Sequence, residues 1–474
     1  MTITIAVTSD LHGRMDKLAQ IQTMIQTIKP DILIDNGDFL QGSLSTYYYD
    51  FIAKQPHPML DLANEIGYDV AIFGNHEFNY PLAQVEQMRN CCEFPWIAGN
   101  IGDFSQPYFI KHVQHKRVAI IGVTTHFTPF WDEQNLTDSL KFTDAFEDAT
   151  HWVNYVYTNE QPDYIVLCYH GGFTKDPLTN RIFADDTGEN QANDMLTIPH
   201  VDALITGHQH LQIATVIDGK PVVQPGANGS CLAVITLGEK PDATLLHTSD
   251  EAEYYPLEVK QWLQQKVGTA ADDFTYNGLL HTRIHKPKFV DFLHDVQLNA
   301  TQAELSLVEL MYHEQGGLNG DITRYDVLKN ISRPNTLKVI ALTGANIRLA
   351  IEQCAAVFAV NAAGDIDFSF NVYPNELQPY IYDYWGGVDY TLNVSKPIGH
   401  RIEELSFKGV PLEDTKTYRV VMNSYRATGV EFPMFHQQHC LFESEQILPA
   451  IIMQHIQQRQ TIQYISHGTI TITT

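Results

Sequence analysis

Through about residue 240 the chain alternates between two rhythms. Unbroken runs of β-branched and aliphatic residues occupy 3–8, 31–35, 70–73, 96–98, 118–123, 164–168, 203–205, 222–223 and 232–237, each closed by Gly, Asp, Asn or His. Between several of them lie stretches with apolar residues at helical spacing, at 15–28, 58–66 and 82–91. Strands covered on both faces read as continuous apolar runs, so this pattern predicts an α/β layered core. Residues 241–285 change character, being charged, interrupted by proline and amphipathic only around 257–267. They are predicted as a linker and hinge between a domain at 1–240 and a second at 286–474. The second domain opens with helices predicted at 287–299 and 344–357, followed by aromatic strand-and-turn segments, an α+β pattern.

The polar residues that close the runs form a pattern of their own. Asp10 and His12 follow the first run, Asp38 the second, and Asn75 and His76 the third. His170 closes the sixth, and His208 and His210 the seventh. Loops at the carboxyl ends of strands in an open α/β sheet converge, and ligands bind at that edge. Two Asp, one Asn and four of these five His, without sulfur, form a nitrogen–oxygen ligand set suited to Mn²⁺, Zn²⁺ or Fe. Two ions a few ångströms apart need a shared carboxylate, for which Asp38 is the natural bridge. Such a pair activates water near neutral pH and clamps the attacking and leaving oxygens at phosphorus. Singly the pieces are ordinary: Asp-x-His recurs by chance, Gly-Asn-His-Glu can be a capped turn, and a lone His170 can be a core histidine. Their order, each at the end of a run, carries the reading.

Composition narrows the chemistry. The 474 residues include 30 Lys and Arg against 56 Asp and Glu, a net charge of −26. That balance repels a polyphosphate backbone, so no nucleic-acid polymer is expected as partner. The six cysteines have no CxxC spacing, which argues against a thiolate zinc site or a disulfide framework. No window approaches about 18 uncharged apolar residues, and the first residues lack a basic and apolar leader. The expectation is a cytoplasmic protein with no membrane partner.

The ordered set D-x-H, G-D-x-x-x-G, G-N-H-E, H-G-G and G-H-x-H resembles the calcineurin-like metallophosphoesterases. With the second domain attached, almost the full chain resembles the 5′-nucleotidase family. That resemblance implies a layered αββα catalytic domain and a smaller α+β substrate-binding domain. It also implies two divalent ions, one held by Asp10, His12, Asp38 and His210, the other by Asp38, Asn75, His170 and His208. His76 would stabilise the transition state or protonate the leaving oxygen, as a histidine can near neutral pH. Asn75 would also touch the substrate. In the 5′-nucleotidases proper an Asp pairs with this histidine. Here Asn79 stands in its place, able to accept a hydrogen bond from His76 without adding charge.

The string Gly74-Asn-His-Glu-Phe-Asn79-Tyr80 resembles the bacterial 2′,3′-cyclic-nucleotide 2′-phosphodiesterase/3′-nucleotidase branch. So do Asp35-Asn-Gly-Asp-Phe-Leu-Gln-Gly-Ser43, Gly320-Asp-Ile-Thr323, Pro334-Asn-Thr-Leu337 and Asn423-Ser-Tyr-Arg-Ala427. Pro81 and Leu44 depart from that pattern, as does Val430 after Gly429. The arginine-bearing loop of the 5′-nucleotidases is not visible at residues 313–317. The family sandwiches its nucleobase between two aromatic rings, which match Tyr380 and Tyr425, while Asn423 and Glu431 would bond the ribose or orient the loop. Tyr382 and Tyr384 read as a strand face, and Trp385 as a turn cap. The expected activity is hydrolysis of 2′,3′-cyclic nucleotides to 3′-nucleotides and on to nucleosides. Alternatives are a 5′-nucleotidase or nucleotide-sugar pyrophosphatase on the same scaffold and, from another class, a non-catalytic metal-dependent nucleotide sensor.

Overall fold

All nine apolar runs become strands of two mixed sheets in a computed structural model that describes residues 2–132, 140–249, 253–310, 315–369 and 382–474. In the first sheet β1 (Ile3–Thr8), β2 (Ile32–Asp35), β3 (Val70–Ile72) and β4 (Trp96–Ile97) run parallel. The second sheet begins with β5 (Tyr108–Val113) antiparallel to β6 (Lys116–Thr124). Parallel strands β7 (Tyr164–His170) and β8 (Ala203–Thr206) follow, then β9 (Gln212–Ile217) antiparallel to β10 (Lys220–Pro225). The chain then returns to the first sheet as β11 (Cys231–Leu237) and β12 (Asp242–His247), both antiparallel. The resulting orders are β12-β11-β1-β2-β3-β4 and β5-β6-β7-β8-β10-β9.

Period-2 alternation decides which core each side chain enters. Ile3, Ile5 and Val7 meet Val118, Ile120 and Val166 between the two sheets. Ala6 instead faces the helices Met15–Ile28, Pro58–Ile66 and Leu82–Asn90 on the outer side of the first sheet. Helix Ala145–Asn159 covers the second sheet with Ala149, Val153 and Val156. The layers are therefore α, β, β, α. Local signals set the helix ends. Pro58 opens Pro58–Ile66, His57 caps it by accepting the Met59 amide at 3.0 Å, and Gly67 closes it at φ 85°.

The three strands without an apolar run, β5, β9 and β12, are all edge strands. Each leaves much of its surface exposed or half-exposed, so its sequence carries no continuous apolar signal. This explains the stretch expected as a linker. Residues 241–285 hold β12, helix Leu257–Leu263, strand Lys266–Ala270 and helix Leu279–Ile284. The division between two compact units falls inside it, after Pro256.

The second unit, Leu257–Thr474, is α+β. Its five-stranded sheet runs Asp383–Gly386, Leu305–Glu309, Thr417–Asn423, Thr336–Thr343, Cys440–Ile447, with helix Lys288–Thr301 packed against it. Tyr382 and Tyr384 are buried, donating their hydroxyls to the carbonyls of Arg283 (3.1 Å) and Thr282 (2.9 Å). Trp385 does not cap a turn; it lies buried within the strand, opposite Leu307. All six cysteines are free. Among the described residues no helix is long and apolar enough to cross a membrane.

Candidate metal centre

Beyond the carboxyl ends of β1, β2 and β8 the backbone turns through left-handed geometry at non-glycine residues. φ is 54° at Asp10, 49° at His12, 56° at Asp38, 70° at His208 and 61° at His210. Such a conformation costs an L-residue about 1–2 kcal/mol. It persists here because the loops bond to one another. Asp10 N donates to Gly37 O (2.9 Å), His12 N to Asp38 O (3.0 Å) and Asn228 N to Asp10 O (2.7 Å). His208 N donates to the Asp10 carboxylate at 3.1 and 3.2 Å.

Glu77 supports the Asp38 loop. It is buried, with Oε1 accepting Phe39 N (2.8 Å) and Oε2 accepting Asp38 N (3.0 Å) and Gly74 N (2.7 Å). Burial, with Asp38 nearby, pushes its carboxyl up to about 7 against the pull of these N–H groups. Sequence reasoning left Glu77 without a role, although its place beside His76 in G-N-H-E was the available signal. Gly74 must be glycine for space, since a Cβ there would lie 2.5 Å from Asp38 N.

Two of the imidazoles commit one nitrogen to a backbone carbonyl. His12 Nδ1 donates to Gln41 O (2.7 Å) and His170 Nδ1 to Asn36 O (2.6 Å), because a carbonyl only accepts. When neutral, as metal ligands must be, these two rings turn their Nε2 lone pairs inward. His12 Nε2 is 3.0 Å from His210 Nε2, and His210 Nε2 is 3.6 Å from Asp10 Oδ1. His170 Nε2 is 3.2 Å from both Asp38 Oδ2 and Asn75 Oδ1, and Asn75 Oδ1 is also 2.9 Å from His208 Nδ1. Asp38 Oδ2 is buried and accepts no hydrogen bond.

Two triads of ligand atoms close enough to share an ion follow: Asp10, His12 and His210, and Asp10, Asp38 and His170. Converging lone pairs and an orphaned carboxylate oxygen fit a divalent cation, and the donor set is the nitrogen–oxygen set expected. Proton affinities show the same demand for positive charge. Burial opposes charge on Asp38, but His170, His76 and His12 outweigh it and hold the carboxyl well below its usual range. Burial likewise opposes charge on His170, yet Asp38 raises the imidazole to about 10. Desolvation, with His12 adjacent, lowers His210 although nearly half of its side chain, 47%, is exposed.

His76 sits beside this cluster with its side chain about a quarter exposed. Its backbone N donates to Asp38 Oδ1 (2.8 Å), its Nδ1 is 2.6 Å from Asn79 Oδ1, and its Nε2 is 4.0 Å from Asp38 Oδ2.

The calcineurin-like phosphoesterase family matches residues 3–212, and the 5′-nucleotidase C-terminal domain matches residues 266–437. The chain thus joins a calcineurin-like phosphoesterase domain to a 5′-nucleotidase C-terminal domain. A 2′,3′-cyclic-nucleotide 2′-phosphodiesterase/3′-nucleotidase from Yersinia enterocolitica is 24% identical over 94% of this chain and 81% of its own length. A trifunctional nucleotide phosphoesterase from Bacillus subtilis is 25% identical over 97% of this chain and 38% of its own. Among solved structures, a candidate 5′-nucleotidase from Staphylococcus aureus, in complex with alpha-ketoglutarate, superposes with a TM-score of 0.91 at 27% identity over the whole of both chains. With these two domains and these relatives, the chain is a metal-dependent hydrolase of nucleotide phosphoesters.

The second domain supplies the remaining expected residues. Tyr380 lies outside the described residues. Tyr425 is half-buried, and its hydroxyl donates to Glu431 Oε1 (2.8 Å). The other Glu431 oxygen accepts Arg426 Nη1 (2.7 Å). Asn423 accepts Arg426 N (2.7 Å) and donates to Glu309 (3.2 Å). Asn423 and Glu431 thus both bond to Arg426 within this loop. The guanidinium at its centre, Arg426, had no sequence signal beyond its place in Asn-Ser-Tyr-Arg-Ala.

Proposed function

We propose that this protein hydrolyses 2′,3′-cyclic nucleotides to 3′-nucleotides at a two-ion centre, and then 3′-nucleotides to nucleosides and phosphate. Asp10, His12, Asp38 and His210 would hold one ion, and Asp38, Asn75, His170 and His208 the other. The chemistry such ions supply is activation of water near neutral pH and neutralisation of charge on the phosphate oxygens. In the first reaction water forms a new bond to phosphorus, the bond to O2′ breaks, and O2′ takes up a proton. His76 donates that proton from Nε2, since Nδ1 is turned to Asn79. In the second reaction the departing atom is O3′, and the same histidine serves it. Tyr425, held by Glu431 through its hydroxyl, offers its ring to the base, a contact worth about 1–3 kcal/mol that tolerates any base.

The observation that carries the branch is the His76–Asn79 pair. A neutral amide replaces the expected Asp, which matches the cyclic phosphodiesterase pattern and leaves the imidazole proton easier to give up. The names of the relatives over most of the chain agree with it. Turnover of 2′,3′-cAMP, 3′-AMP and 5′-AMP by the Mn²⁺-loaded protein tests the reading. The first two should be cleaved faster; preference for 5′-AMP sinks the branch, and binding without hydrolysis of any of them indicates a sensor.

His76→Ala should retain both ions while slowing turnover by about 10²–10⁴-fold, the range for a lost general acid. Metal analysis beside initial rates checks this, and loss of an ion would make His76 a ligand instead.

A further inference from the structure

His208 turns its outward nitrogen to a carboxylate. Its Nε2 is 2.9 Å from Glu189 Oε1, whereas His12 and His170 turn their outward nitrogens to backbone carbonyls. We infer that Glu189 is a positioning residue for the metal centre, fixing the tautomer and orientation of His208 so that its Nδ1 lone pair faces Asn75 and the second ion. The inference rests on the proposed role of His208 as a ligand.

The chemistry follows from the donor inventory. An ionised carboxylate only accepts, so Nε2 of His208 carries a proton, and in the neutral ring that a metal ligand must be Nδ1 keeps its lone pair. That lone pair lies 2.9 Å from Asn75 Oδ1, which His170 Nε2 also approaches at 3.2 Å. Nitrogen and oxygen acceptors thus point at a common space, and a cation is what reconciles them. Glu189 itself belongs to neither triad of convergent ligand atoms, so its carboxylate acts through the imidazole and not on the ion. A carboxylate behind a histidine makes the ring a stronger ligand than a carbonyl does.

Glu189 is held firmly enough to do this. Its backbone carbonyl accepts the Tyr169 hydroxyl (2.8 Å) and the Thr125 hydroxyl (3.3 Å). The next residue, Asn190, accepts Gly172 N (3.0 Å). The segment is therefore strapped to the end of β7, the strand that delivers His170. On the ring face of His208, Trp131 stacks at 5.4 Å with 23° between planes. Backbone, one ring face and Nε2 of His208 are therefore each held by a neighbour. An ordinary surface ion pair would be worth little and would leave metal binding alone.

Calorimetric titration of the metal-free full-length protein with Mn²⁺ tests the inference, with Glu189→Ala, Glu189→Gln and His208→Ala beside wild type. Wild type should bind two ions and His208→Ala one. Glu189→Ala should bind the first ion normally and the second about 10–100-fold more weakly, the usual effect of losing such a partner. Glu189→Gln, whose amide oxygen still accepts from Nε2–H without the charge, should fall between. Imidazole ¹⁵N spectra of the metal-free proteins provide a readout independent of metal. His208 should be the Nε2–H tautomer in wild type and Glu189→Gln, and a mixture in Glu189→Ala. Unchanged affinity and tautomer in Glu189→Ala overturn the role of Glu189. Two ions bound at wild-type affinity by His208→Ala overturn the ligand assignment beneath it.

Discussion

Asp38→Asn should lose metal and turnover together, with 2′,3′-cAMP hydrolysis below about 10⁻⁴ of wild type, beyond the 10²–10⁴-fold cost of losing a general acid. Asp38 is buried, its Oδ1 holds the His76 amide, and its Oδ2 stands among His170 and His76 without a hydrogen bond. It is the shared carboxylate in the proposed ligand sets, so one neutral substitution weakens both ions at once. Asparagine is the informative replacement because it tolerates the left-handed φ of 56° and keeps the side-chain shape. Circular dichroism should therefore stay native while metal analysis falls below two ions. A variant that keeps both ions and turns over within tenfold of wild type would exclude a bridging role.

Arg426→Leu should be the most destabilising substitution in the second unit, by about 3–5 kcal/mol, the penalty for leaving one side of a buried ion pair uncompensated. The guanidinium is 2% exposed and faces three carboxylates: Asp383 from Nε at 2.8 Å, Glu309 from Nη2 at 2.8 Å and Glu431 from Nη1 at 2.7 Å. Burial pushes Asp383 up to about 7 even though Arg426 opposes it. Without the arginine, Asp383 and Glu431, both already raised by burial with Arg426 opposing, rise further above their unfolded values near about 4. The folded variant then binds more protons than the unfolded chain, so its stability must fall as pH rises across that interval. Thermal unfolding should show a larger deficit at pH 8 than at pH 5.5. Equal deficits at the two pH values would mean that lost packing, and not uncompensated charge, dominates. Because Tyr425 leans on Glu431 and Glu431 on Arg426, KM should rise as well.

What the sequence made legible follows from burial. Strands covered on both sides have to be continuously apolar, so their carboxyl ends, and with them Asp10, Asp38, Asn75, His170 and His208, are legible in the hydrophobic pattern alone. Edge strands β5, β9 and β12 meet water on part of their surface and left no such trace, which is why β12 was taken into a linker. Residues that act through another side chain were also silent. Glu189 sits in a loop with no periodicity, Glu77 was seen only as a letter of a motif, and Arg426 gained meaning from carboxylates distant in the chain. Left-handed backbone at His12, His208 and His210 was unreadable for a further reason: nothing about histidine asks for it, and only the bonds between loops enforce it.

Those interloop bonds have a consequence for how the centre handles its ions. The turns keep their shape through amide–carbonyl and amide–carboxylate contacts that involve no metal. An ion can therefore depart and another arrive without the loops refolding. Occupancy should track the free concentration of each divalent ion around the protein, and exchange should run at the rate of ligand dissociation. One population of molecules would then shift its metal content as supply changes, with no new synthesis.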